Sequence, residues 1–136
     1  MRRGVVASCS LILAALLGGC GGSSGYISSA QGAVTSMRDA ISAYNGTKPN
    51  SVAATAQACK EAADKLRNTS LPAPKDAPAN KRALATALQH AYQLAVRGFD
   101  DCAAGGSKRA YLLMAQGAQE ISDANAAIAA ARRLDR

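Results

Sequence analysis

Tryptophan is absent from this chain, and phenylalanine and histidine each occur once. Each shortage excludes a chemistry. With His90 alone there is no second imidazole for a metallohydrolase triad. Glu61 and Glu120 are the only glutamates, and neither begins a Glu-x-x-His pair, so the ligand set of a di-iron bundle is missing. No Gly-x-Ser-x-Gly elbow occurs. With no evident strands, there is also no Gly-rich phosphate loop between strand and helix. Asp100 and Asp101 are adjacent, so on a helix their side chains diverge and cannot serve as an acid/base pair. These gaps predict a protein that is not an enzyme. β-Branched residues are also thin and alanine dominates, which favours helices over strands. The longest apolar stretch, residues 5–17, falls short of the roughly 20 residues a membrane-spanning helix needs.

That short apolar stretch has a definite setting. Arg2 and Arg3 precede it as a positive region, and Leu17-Gly18-Gly19-Cys20 closes it with small residues directly before a cysteine. The segment resembles a bacterial lipoprotein signal peptide, with Gly18 where the family more often has Ala or Ser. The resemblance covers about the first twenty residues. It implies removal of residues 1–19, Cys9 included, acylation of Cys20 with palmitate or similar chains, and Cys20 as the new N-terminus. The expected address is the extracytoplasmic face of the cell membrane or outer membrane. Plain secretion is the alternative, and the cysteine after the small residues argues against it. The Gly/Ser run in residues 20–25 is expected to be a coil that tethers the folded part.

Residues 26–136 are enough for one small domain. Apolar residues spaced three and four apart predict four helices. The first covers residues 26–44 with a stripe of Ile27, Ala30, Val34, Met37, Ile41 and Tyr44, and Asn45-Gly46 stops it. The second follows Asn50 or Ser51 as N-cap and carries Val52, Ala56, Cys59, Ala63 and Leu66. Pro72, Pro74 and Pro78 impose an extended connection. Asp76 is expected to cap the third helix, which runs through Leu84, Leu88, Ala91, Ala95, Phe99 and Cys102 until Gly105-Gly106. Ser107 is expected to cap the fourth, with Met114, Ala118, Ile121, Asn125 and Ile128 inward and Asn125 fixing register from within the core. The expected fold class is all-α, an up-down-up-down four-helix bundle.

Cys59 and Cys102 both fall in core stripes, and an exported domain permits their oxidation. Two cysteines suit a disulfide between helices 2 and 3 better than a metal site, which needs three or four ligands. Closing a loop of this length stabilises by about 4 kcal/mol in the chain-entropy account. Levelling the two cysteines makes helix 3 start roughly 20 Å beyond the end of helix 2. A groove beside the overhang, between helices 3 and 4, is then expected, walled by Leu84, Leu88, Tyr92, Leu112, Leu113 and Ile128. A haem bundle similar to the four-helix b-type cytochromes would need His90 with Met37 or Met114 as axial ligands. On the helical wheel His90 turns away from the core, so no cofactor is expected.

The full chain has 16 basic and 9 acidic side chains. Positive excess suits anionic phospholipid, cell-wall polymers or an acidic envelope protein, and export makes nucleic acid an unsuitable partner. Lys81, Arg82, Arg132, Arg133 and Arg136 are expected at the anchored end as a basic patch facing the membrane. Together the residues predict a noncatalytic lipoprotein that binds or scaffolds another component, with small-molecule or lipid binding in the groove as the alternative.

Overall fold

The computed structural model describes residues 21–46 and 51–135. Cys20, the segment before it and Arg136 lie outside the described residues, as do the readings placed on them. The described chain is all-helical: α1 (Gly21–Gly46), α2 (Val52–Arg67), α3 (Arg82–Ser107) and α4 (Tyr111–Arg133), with no strand among the described residues.

Local chemistry accounts for some helix ends and corrects others. Ser51 is extended and its Oγ accepts a hydrogen bond from the Ala54 N–H at 3.1 Å, so α2 begins at a side-chain cap as expected. Lys65 and Arg67 sit in its last turn, where positive charge offsets the helix dipole. Gly21 to Gly25 are helical rather than coil. Burial of Tyr26 and Ala30 one turn on holds this end of α1 in place, so the helix continues back into the Gly/Ser run.

Asp76 does not cap α3. It closes a short 3-10 turn, Pro74–Asp76, and a second turn, Ala79–Lys81, intervenes before α3 starts without a side-chain cap. Pro78 explains the delay, because the residue before a proline is driven out of the helical region, and Ala77 is extended (φ −73°, ψ 145°).

Gly105 and Gly106 do not stop α3 but lie buried within it. A Cβ on Gly105 would come within 2.6 Å of the Met114 N, and one on Gly106 would collide with the Ala56 Cβ. The glycines therefore serve close packing between helices rather than termination. Ser107 is the last residue of α3 and donates back to the Ala103 carbonyl at 3.0 Å, so it is not the α4 cap. The reversal falls on Lys108 to Ala110. Arg109 has φ 54°, the Ala110 N–H donates to the Gly105 carbonyl at 2.7 Å, and the Arg109 N–H donates to that of Gly106 at 3.4 Å. That pair of bonds is a Schellman closure with arginine in the left-handed position glycine usually takes.

α3 is central and packs closely on both α2 and α4, whereas α1 packs more lightly. The Cys59–Cys102 disulfide joins α2 to α3 as expected, both residues fully buried beside Phe99, Met37 and Leu66. The Tyr44 ring meets Phe99 edge-on at 5.8 Å, and the Tyr92 hydroxyl donates to the Leu66 carbonyl at 2.8 Å, tying α3 to the end of α2. Gly98 of α3 and Gly117 of α4 bring two backbones together.

The inward face of α4 is Gly117, Glu120, Ile121, Ala124, Ile128 and Ala131. Asn125 is exposed and fixes no register in the core. The backbone contact at Gly117 sets the phase of α4, and from there Ala124 points inward rather than Asn125. Ile27 is likewise 40% exposed, with Tyr26 buried in its place.

Candidate functional site

A second, smaller core lies away from the disulfide: Tyr26 and Ala30 of α1, Ala77 of the connection, Ala85 and Leu88 of α3, and Ala131 of α4. The first turns of α1, the start of α3 and the end of α4 therefore meet. The first half of α1 and Ala77 of the proline-rich connection pack on the start of α3 and the end of α4 here. The space left beside them is a cavity of about 410 Å³.

The walls are built by helical phase. Along α1, Ile27, Ala30 and Val34 form an apolar strip, and Leu84 and Leu88 of α3 face them. Gln31, Thr35 and Arg38 make a polar edge, met by Lys81, Arg132 and Asp135. The cavity lies between α1 and the ends of α3 and α4, not between α3 and α4 as expected. Glycine-on-glycine contact closes that second interface. Of the expected wall residues only Leu84 and Leu88 line it. Tyr92, Leu113 and Ile128 do not, and Leu112 is 89% exposed elsewhere on α4.

Charge and polarity are uneven across the cavity. Lys81 donates to the Asp135 carboxylate at 2.7 Å, so its charge is already matched. Arg38 and Arg132 have no ion-pair partner among the described residues. Tyr26 also lines the cavity, and its hydroxyl is buried without a hydrogen-bond partner. Burial, and secondarily the negative charge of Asp76, holds that hydroxyl above its ordinary pKa.

The residues expected to form a basic patch are placed unequally. Lys81 and Arg132 come together on the cavity wall, whereas Arg82 and Arg133 are exposed on the ends of the same two helices and do not line it. Tyr26 and Arg38 were not expected here. Their signal was the polar edge beside the α1 stripe, which becomes a site only once α1 leans over α3.

Other candidates resolve into structure. His90 is exposed, Met37 is fully buried and Met114 is half-buried. No cluster of three or more His, Cys, Asp or Glu side chains suited to a metal occurs among the described residues. Asp100 pairs with Arg67, and Asp101 accepts from Gln116 at 3.4 Å. Glu120, the one buried acid among the described residues, accepts from Arg97 Nε at 2.8 Å and has a second oxygen without a partner. Among the described residues no helix is long and apolar enough to cross a membrane. Set against known protein families, curated proteins and solved structures, the chain matches none of them.

Proposed function

We propose that this protein is a noncatalytic envelope lipoprotein. Acyl groups on Cys20 hold it at the extracytoplasmic face of the cell membrane or outer membrane, and its helical body binds or scaffolds an envelope protein or cell-wall component. The buried Cys59–Cys102 bond carries this reading, because such a bond persists in an oxidising compartment and agrees with the export that residues 1–20 resemble. The helices follow one another up-down-up-down, which puts the start of α1 and the end of α4 at the anchored end. There Arg82, Arg132 and Arg133 make a secondary contact with anionic headgroups, and their replacement by glutamine weakens vesicle binding of the unacylated chain. Unchanged binding removes that contact from the account.

Metabolic labelling with palmitate tests the anchor. Label in the wild-type chain, none in Cys20→Ala, and release of that variant from membranes are expected. Equal labelling of both chains contradicts the reading.

The cavity beside α1 favours a second reading, in which the bundle holds a small molecule or lipid. Its volume falls within the roughly 300–1,000 Å³ usual for ligand pockets, and it combines apolar walls with a few polar groups. Native mass spectrometry of the mature chain distinguishes the two readings by a retained ligand or none.

A further inference from the structure

We propose that the cavity between α1 and the ends of α3 and α4 binds a single long-chain fatty carboxylate, a proposal that rests on the second reading above. The chain lies along the Ile27–Ala30–Val34 strip against Leu84 and Leu88. The carboxylate is met by the guanidinium groups of Arg38 and Arg132.

Two observations carry it. The first is length: from Tyr26 to Arg38 the cavity follows α1 for about 18 Å at 1.5 Å per residue. One acyl chain fills half a bilayer's hydrocarbon core, about 15 Å. The second is charge complementarity. Lys81 is spoken for by Asp135, but two further cations line the cavity with no acid to answer them among the described residues. A carboxylate supplies that acid, and arginine's planar fork suits it.

Among the described residues the core is carried by the four helices and Ala77 of the connection, all after Cys20, so the test uses the chain from residue 20 with Cys20→Ser. Palmitate binding is measured by displacement of a fluorescent fatty acid, with hexadecyltrimethylammonium as a cation of the same chain length. Palmitate binds and the cation does not. Each methylene removed between palmitate and laurate weakens binding by about two- to fourfold. Arg38→Gln with Arg132→Gln weakens palmitate by about tenfold or more and leaves hexadecanol unchanged. Ile27→Asp, on the cavity wall at a 40% exposed position, abolishes displacement while the helical circular dichroism and Tm of the variant stay those of the parent chain.

No palmitate binding, equal binding of the cation, or an unaffected double arginine variant overturns the proposal. A retained ligand of other chemistry, with no response to palmitate, also overturns it while leaving the second reading in place. Palmitate binding to the Cys20→Ser chain but not to the acylated protein assigns the cavity to the protein's own acyl group and overturns it too.

Discussion

Replacing Gly117 by alanine separates two opposing effects cleanly. An alanine gains about 1 kcal/mol over glycine in a helix interior. At Gly117, however, the new Cβ would stand 2.5 Å from the Gly98 carbonyl oxygen, 2.6 Å from the Cys102 N and 3.1 Å from the Cys102 Cα. All three are backbone atoms, so no side chain can swing aside. Restoring ordinary contact requires α3 and α4 to part by about 1 Å, and a gap of that size forfeits a quarter to a half of each dispersion contact beside it. Overpacking of this kind costs about 1–3 kcal/mol, and a clash with backbone belongs at the upper end. The net expectation is a loss of about 2 kcal/mol, lowering Tm by about 8 °C for a domain of this size. Gly32 is the internal control, because a Cβ there has nothing within 4 Å. Gly32→Ala is expected to gain about 1 kcal/mol from propensity alone. Thermal and urea unfolding followed by helical circular dichroism measures both. If Gly117→Ala proves as stable as Gly32→Ala, the close contact between α3 and α4 is refuted.

Reducing the Cys59–Cys102 bond, or replacing both cysteines by alanine, lowers stability by about 4 kcal/mol through the lost loop constraint. Unchanged urea midpoints with and without reductant would contradict this. Arg109→Gly relieves a left-handed position in the α3–α4 turn and raises stability by about 1 kcal/mol, with an unchanged or lower Tm as the contrary result. Because the Tyr26 hydroxyl has a raised pKa in the folded state, the unfolded chain releases its proton first as pH climbs past 10. Stability is therefore full below that pH and declines above it, toward the folded-state value. Tyr26→Phe removes this alkaline decline and, by deleting a buried hydroxyl without a partner, leaves stability at neutral pH equal or higher. A Tyr26→Phe chain that keeps the wild-type alkaline slope would refute the assignment.

The features legible in the sequence were those set by short-range chemistry. Ser51 announces α2 because its hydroxyl reaches an N–H three residues on, and the stripes of α2 and α3 present Cys59 and Cys102 to each other. The misreadings share a physical cause. Gly105-Gly106 and Ser107 have the local character of a helix stop and a cap, yet contact with Ala56 and Met114 reassigns the glycines to packing and carries the helix on to Ser107. Spacing from Ile121 predicts Asn125 in the core, but with Gly117 against the α3 backbone it is Ala124 that is buried and Asn125 that is exposed. Levelling Cys59 with Cys102 predicts a groove beside an overhang, between α3 and α4. Small side chains instead let those two helices close on each other, and the apolar-walled space lies where lightly packed α1 crosses their ends. Long-range contacts of this kind leave no mark in local spacing.

The central claim is that Cys20 carries the acyl groups that hold an oxidised helical body outside the cytoplasm. Mass spectrometry of the intact protein from its own cells tests it most directly. The account predicts a chain beginning at Cys20, heavier than its residues by the attached lipid and lighter by the two hydrogens lost in the Cys59–Cys102 bond. An uncut, unacylated chain starting at Met1 with both thiols reduced would contradict it.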